Sequence, residues 1–278
     1  MNRSAERPTL PEVYFDHVAK TAGTSVVSVL RSAYARQEMF PVHHCDKMVG
    51  WPRDSVAGYR CYHGHLGTLV PTLLGRDIPT VTLLRDPFEQ TISLFRHALR
   101  HHYRDEKGWS QSRLQWVLRW TFPYAVHHLT QPANRAFHNY QTRSLGVLLD
   151  FERLGKPGGS MNEQFSVPDS ALPEALERAK RRLDSMVLVG TVEEIDTFVV
   201  RLCALLGVEP PARTPSLNTD PGRDIRRTHR ESCKLPAYLV RRIDRLTRFD
   251  QELYAHARAL AGEHGHPQPA PTLNRSAA

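Results

Sequence analysis

The stretch "FDHVAKTAGTSVVSVL", residues 15–30, decides the fold expected for this chain. It begins within "VYFDHV" (13–18), an apolar segment typical of a short buried strand. After Gly23, apolar side chains recur at helical spacing, at Val26, Val27, Leu30, Ala33 and Tyr34. The pattern predicts a strand, a glycine-bearing loop and a helix in direct succession.

The residues of this loop favour an anion site. A helix N-terminus offers backbone N–H groups and the positive end of the helix dipole to a phosphate. Gly23 would allow close approach, Thr21, Thr24 and Ser25 would supply hydroxyl groups, and Lys20 would supply a charge. A Walker A loop has its lysine directly after the second glycine, whereas Lys20 precedes Gly23, which disfavours an ordinary ATP or GTP enzyme. A plain strand-to-helix turn is the alternative.

The rest of the chain alternates strands with helices. Further strands are predicted in "YRCYHGH" (59–65), "IPTVTLL" (78–84) and "MVLVG" (186–190). A helix should start after Asp86, the expected N-cap, with Pro87 and Glu89 in its first turn. Other helices are predicted near 111–120, 133–145, 171–184, 192–206 and 236–261. This order indicates an α/β fold with a central, mainly parallel sheet flanked by helices, which binds ligands beyond the carboxyl ends of its strands.

The 278 residues are expected to form one main domain. We predict a domain over 12–262, with flexible, proline-containing tails at 1–11 and 263–278 and long loops at 154–170 and 209–230.

Composition narrows the environment and the partners. The net charge of +8 favours anionic ligands such as a nucleotide, an acidic glycan or nucleic acid, although a basic surface alone would also explain it. No apolar run reaches the roughly 20 residues of a membrane span and the N-terminus lacks an apolar signal core, so we expect a soluble, cytoplasmic chain. The four cysteines are scattered and are expected to be reduced thiols: Cys45, Cys61, Cys203 and Cys233.

A second motif, "LLRDPFEQTISLF" (83–95), places Arg85 at the end of an apolar strand and Ser93 two turns into the next helix. An arginine can grip a phosphate through two hydrogen bonds while a serine hydroxyl completes the shell. The alternative is a capped helix with an exposed arginine and a buried serine.

With these two motifs the sequence resembles the sulfotransferases that use 3′-phosphoadenylyl sulfate, especially the branch of carbohydrate and uronyl 2-O-sulfotransferases. "KTAGTS" (20–25) and "LRDPFEQTISLF" (84–95) are separated by about sixty residues, as in that family. Weaker similarities cover most of the body, at "NYQTRSLG" (139–146), "VLVGTVEEIDTFVVRLCALLG" (187–207), "SLNTD" (216–220) and "LTRFDQELYAHA" (246–257). We therefore expect a P-loop-like, three-layer α/β fold.

The resemblance also implies roles for residues. Lys20, Thr21, Ala22, Gly23, Thr24 and Ser25 would bind the 5′-phosphosulfate of the donor. Arg85 and Ser93 would bind its 3′-phosphate. Gln90 stands where the family has arginine, and we expect this departure to affect an ion pair on the helix surface more than the donor site.

A third motif, "YHGHLG" (62–67), resembles the segment of the 2-O-sulfotransferases that carries their catalytic histidine. In a strand, His63 and His65 face the same side, and a histidine near its ordinary pKa of about 6.5 suits proton abstraction near neutrality. Two histidines can also bind zinc, but no cysteine or carboxylate completes a recognisable ligand set. We expect His65 to be the catalytic base, with His63 in support.

The predicted function is transfer of a sulfuryl group from 3′-phosphoadenylyl sulfate to a hydroxyl of an acceptor, a carbohydrate or a small molecule. Lys20 would neutralise the charge that grows on the leaving phosphate, and we expect neither a metal nor a nucleic-acid partner. One alternative is a nucleotide-dependent kinase of the P-loop type. Another is a non-catalytic binder of polyanionic glycan or nucleic acid through the basic segment 213–230.

Overall fold

The structure, a computed structural model, describes residues 10–101, 123–124, 126–128, 130–215 and 235–263. Within these residues four strands form a single sheet in the order β2-β1-β3-β4, and every neighbouring pair is parallel. In chain order, β1 to β4 are Val13–Asp16, Cys61–Gly64, Thr80–Leu84 and Leu188–Thr191. The prediction of an α/β fold with a parallel sheet flanked by helices is confirmed.

Helices cover both faces of this sheet. The α-helices whose bounds lie in the described ranges are, from α1 to α9, Gly23–Ala33, Leu69–Leu74, Pro87–Arg100, Tyr140–Gly146, Met161–Phe165, Leu172–Asp184, Ile195–Leu206, Ala237–Leu246 and Arg248–Glu263. Successive strand residues point to opposite faces, so Phe15 packs with apolar residues of α1 and α7, and Tyr14 packs with those of α2, α4, α6 and α9. Both faces of β1 are therefore buried.

The expected helix at 236–261 is divided in two, because a side chain from elsewhere caps its second half. Asn139 Oδ1 accepts hydrogen bonds from the backbone N–H groups of Phe249 and Asp250, at 2.9 and 3.3 Å. The carboxylate of Asp250 in turn accepts from the N–H groups of Gln141 and Thr142, at 3.2 and 2.7 Å. Asn139 and Asp250 thus cap α9 and α4 reciprocally, a long-range contact that a helical periodicity does not reveal.

Other boundaries also differ from the predictions. The expected helix at 133–145 is a 3₁₀ segment, Pro132–Phe137, followed by α4, because Asn139 adopts a left-handed conformation with φ 48°. The expected loop at 154–170 contains α5, whose first turn is closed by a capping box of Ser160 and Glu163. The expected helix at 192–206 begins with a 3₁₀ turn, Val192–Glu194, and continues as α7.

The packed region also extends slightly beyond the predicted limits. Leu10 is buried against the α1 side of the sheet, and α9 continues to Glu263. The predicted helix at 111–120 and most of the loop at 209–230 lie outside the described residues. No helix in the described ranges has both the length and the apolar character needed to cross a bilayer.

Candidate active site

The three motifs meet at one edge of the sheet. The loop 17–22 follows β1, His65 follows β2 and Arg85 follows β3. Because β2, β1 and β3 are parallel neighbours, their carboxyl ends lie side by side, and this is where such sheets bind ligands. The chain thus brings residues from positions 17–25, 63–65 and 85–93 to the same region.

The loop before α1 presents an uncapped helix N-terminus. Its N-cap, Ala22, has left-handed backbone angles (φ 57°), makes no side-chain cap, and is followed by a first turn without an acidic residue. Lys20 also has a positive φ, 68°. Non-glycine residues rarely hold such angles, and they cluster at ligand sites where the surrounding fold enforces them. The first turn of α1 therefore has the polarity and the shape that suit an anion.

The hydroxyl residues of this loop have different environments. Thr21 is fully buried and donates a hydrogen bond to the carbonyl of Val18, at 2.8 Å, so it closes the loop in this conformation. Thr24 is exposed, Ser25 is buried, and Lys20 and Ala22 are half-buried. A contact of Thr21 with a phosphate stays a prediction.

Gly23 is required by close packing. A Cβ atom at this position would lie 1.9 Å from Nε2 of His17, so only glycine fits beneath that imidazole. The His17 ring also stacks on Phe15 and lies 4.4 Å, between ring centres, from His65. The sequence motifs do not single out His17, although it lies two residues after Phe15 and therefore on the same side of the sheet, which α1 covers.

Arg85 joins the end of β3 to the first loop. Its Nη1 atom donates to the carbonyl of Lys20 at 3.4 Å, and its Nη2 atom lies 3.5 Å from a carboxylate oxygen of Glu89. Asp86 accepts from the N–H of Glu89 and Pro87 is the first residue of α3, so the predicted helix start is confirmed. Ser93 is partly buried two turns further along α3.

Gln90 faces the interior, and the expectation that this position lies in a helix-surface ion pair is wrong. The side chain is fully buried, and its Nε2 atom donates to the carbonyl of Ala19 at 3.0 Å. Gln90 therefore ties α3 to the first loop. Its Oε1 atom has no hydrogen-bond partner among the described residues.

His65 is held as a neutral base. Its Nδ1 atom lies 2.6 Å from the carbonyl oxygen of His17, and because that oxygen only accepts, the proton must be on Nδ1. Nε2 then carries the free lone pair. Burial, helped by the charges of neighbouring histidines including His44, lowers the pKa of His65 to about 4, which differs from the expected value near 6.5.

His63 lies deeper on the same side of β2. The register pairs it with Phe15, which faces α1, and its exposed fraction is only 6%. Burial, together with the charge of Arg31 on α1, lowers the pKa of His63 to about 4. The strand ends at Gly64, and His65 continues the ladder through a bridge to His44. Burial, followed by the charges of His65 and His63, holds the pKa of His17 well below its ordinary value.

One cluster in the described ranges brings three potential metal ligands within 4.8 Å of one another: His44, Cys45 and Asp46. Burial raises the pKa of the Cys45 thiol to about 12. Asp46 accepts the backbone N–H of Met161 at 2.8 Å. Asp46 therefore anchors α5 to the segment beside β2.

No protein-family model matches the sequence, and no curated protein is significantly similar to it. The motifs and their geometry are therefore what connects this chain to a function.

Proposed function

We propose that this protein is a sulfotransferase of P-loop-like fold that transfers a sulfuryl group from 3′-phosphoadenylyl sulfate to a hydroxyl group, preferably of a carbohydrate. The observation that carries the proposal is the convergence of three motifs at the carboxyl edge of the sheet. The His65 imidazole contacts the loop of Lys20 through His17, and the Arg85 guanidinium contacts the same loop directly.

The donor fits the chemistry of this edge. Its 5′-phosphosulfate suits the uncapped N-terminus of α1, where Ala22, Gly23, Thr24 and Ser25 would surround it with backbone and hydroxyl donors. Its 3′-phosphate suits Arg85 and Ser93 at the start of α3. Arg85 has the geometry for two hydrogen bonds to one phosphate, at the cost of its contact with Glu89.

The residues would divide the reaction between them. When bound, 3′-phosphoadenylyl sulfate supplies an activated sulfuryl group. His65 Nε2 takes the proton of the acceptor hydroxyl while the hydroxyl oxygen forms the new bond to sulfur. Lys20 neutralises the charge on the phosphate oxygen released when the old S–O bond breaks, and the N–H groups at the start of α1 share this role. The products are a sulfate ester and adenosine 3′,5′-bisphosphate, and no step requires a metal.

The tautomer of His65 supports its assignment. The hydrogen bond of Nδ1 to the His17 carbonyl leaves Nε2 to accept a proton. The lowered pKa keeps the imidazole neutral at pH 7, but it also makes His65 a weaker base than a histidine whose pKa lies near the working pH. His63 is too deeply buried for the same task, so we assign it a supporting role beneath the site.

Calorimetry with adenosine 3′,5′-bisphosphate tests the donor site. The compound should bind more tightly than adenosine 5′-monophosphate and raise the melting temperature, because the site recognises two phosphates. Arg85→Ala and Ser93→Ala should weaken binding of the bisphosphate far more than binding of the monophosphate. Equal affinity for both nucleotides would remove the 3′-phosphate site and the proposal with it. Labelled donor and a panel of hydroxyl acceptors would then identify the substrate.

A further inference from the structure

The side chain of Gln141, on α4, holds the backbone of Arg85. Its Oε1 atom accepts from the Arg85 N–H at 3.0 Å, and its Nε2 atom donates to the Arg85 carbonyl at 2.8 Å. Gln141 has no exposed surface. The side-chain amide of Gln141 therefore binds both the N–H and the carbonyl of Arg85, as the backbone of a neighbouring strand would.

The place of this contact matters. The paired residues of β3 end at Leu84, which is opposite Thr191, and α3 begins at Pro87. Arg85 therefore lies where the chain leaves the sheet and turns into the helix. The two hydrogen bonds fix the backbone from which the guanidinium extends toward the loop of Lys20.

Gln141 is itself held in place. Its own N–H donates to the buried carboxylate of Asp250, 3.2 Å away, and the next N–H does the same at 2.7 Å. Asn139, the N-cap of α4, is tied to the start of α9. The glutamine thus projects from a helix start that four hydrogen bonds tie to the start of α9, which is the kind of support a precisely oriented binding group requires.

We propose that Gln141 is a positioning residue for the 3′-phosphate subsite and acts by orienting Arg85. This inference rests on the proposed function, because it assumes that Arg85 binds that phosphate. Both ends of the Gln141 amide are engaged by the backbone of Arg85, so its effect on a ligand would pass through Arg85. Removal of the glutamine should therefore weaken recognition of one phosphate without affecting the other.

The chain offers a matched control in Gln164 on α5. Its amide makes the same pair of bonds to a backbone position, with the N–H of Asp150 at 2.7 Å and the Asp150 carbonyl at 3.2 Å. It is similarly buried, with an exposed fraction of 6%. The Gln164 amide also donates to the Gly159 carbonyl at 2.7 Å. Asp150 and Gly159 lie outside the three motifs, so Gln164→Met should carry at least as large a structural cost without touching the site.

The experiment is calorimetry on the full chain with adenosine 3′,5′-bisphosphate and adenosine 5′-monophosphate. Gln141→Met should lower the affinity for the bisphosphate about tenfold, the loss expected when a charge-assisted hydrogen bond is misplaced. Its affinity for the monophosphate should stay that of the wild type. Gln164→Met should bind both nucleotides as the wild type does. In an Arg85→Ala background, Gln141→Met should cause no additional loss.

Several results would overturn the inference. Wild-type affinity for the bisphosphate in Gln141→Met, an equal loss for both nucleotides, or additive losses with Arg85→Ala would each show that Gln141 does not act through Arg85. If Gln141→Met does not fold, Gln141→Asn takes its place, since its shorter amide stays polar but cannot reach both backbone groups of Arg85. The same selective loss is expected of it. Failure of the wild type to prefer the bisphosphate would overturn the proposed function and this inference together, and is recognisable without any variant.

Discussion

His65 and the backbone of His17 form a hydrogen bond 2.6 Å long at the carboxyl edge of the sheet. The contact joins the ends of two neighbouring strands, β1 and β2. It fixes the orientation and the tautomer of the imidazole before any ligand binds, so that Nε2 is the atom available to a hydroxyl proton. A second group that holds a histidine in this way is a common feature of catalytic bases.

The first prediction is that His65→Ala abolishes sulfuryl transfer. Loss of a general base typically costs 10²–10⁴ in rate, and the change should leave binding of adenosine 3′,5′-bisphosphate nearly intact because His65 does not hold the donor. Turnover with labelled donor and calorimetry would measure both. His63→Ala should reduce turnover less. A folded His65→Ala protein that keeps more than about a tenth of the wild-type rate would refute the assignment.

The second prediction concerns pH. The value of kcat/KM for the donor reports groups of the free enzyme, and the pKa of His65 is about 4. The value of kcat/KM should therefore fall below about pH 5 and should not change between about pH 6 and 8. Steady-state rates across this range would test it. An acid limb centred near pH 6.5 would contradict the lowered pKa of His65.

The third prediction is that Lys20→Ala slows the chemical step about 10²–10³-fold, the usual cost of removing one group that stabilises charge in the transition state. Lys20→Arg, which keeps the charge, should be less affected. Single-turnover measurements separate this loss from weaker donor binding. Activity should persist in a chelator, and loss of turnover that zinc or magnesium restores would contradict the metal-free mechanism.

The fourth prediction follows from the contact of Gly23 with His17. Gly23→Ala should destabilise the protein by about 1–3 kcal/mol, because the new Cβ would lie 1.9 Å from an imidazole that stacking holds in place. Urea unfolding would measure the loss. In a His17→Ala background the same change should cost much less. An equal cost in both backgrounds would show that the clash is relieved in another way.

The fifth prediction is a pH-dependent contribution of His63 to stability. Its pKa of about 4 lies below the value of about 6.5 in the unfolded chain, so between these values the unfolded state binds the extra proton. This contribution is complete above about pH 6.5 and is lost as pH falls toward 4. Relative to His63→Gln, the wild type should lose on the order of 3 kcal/mol over this range. The same change in the free energy of unfolding between pH 6.5 and 4 in both proteins would contradict the prediction.

Local sequence rules were sufficient where the interactions are local. The strands could be located from their apolar runs, and the start of α3 from Asp86, Pro87 and Glu89, because these residues contact one another within a single turn. The capping box of Ser160 and Glu163 belongs to the same class, and reading it would have identified α5. The parallel sheet then places the three motifs at one edge.

Long-range contacts account for what the sequence did not reveal. The family resemblance implies a helix-surface ion pair at the position of Gln90, but the loop after β1 covers this side chain, and no local rule reveals that contact. The role of His17 depends on its distance from Gly23 and from His65, which follow from strand register. Asn139 ends one helix and starts another through partners on α9, about 110 residues away in the chain.

The reciprocal caps of α4 and α9 have a consequence for native-state hydrogen exchange. The amide protons of Gln141 and Thr142 depend on a carboxylate from α9, and those of Phe249 and Asp250 depend on a carbonyl oxygen from Asn139. Neither helix start can open alone without leaving the other short of an acceptor. These four amides should therefore exchange as one cooperative unit. Because Gln141 also binds the backbone of Arg85, opening of the start of α9 should loosen that backbone as well.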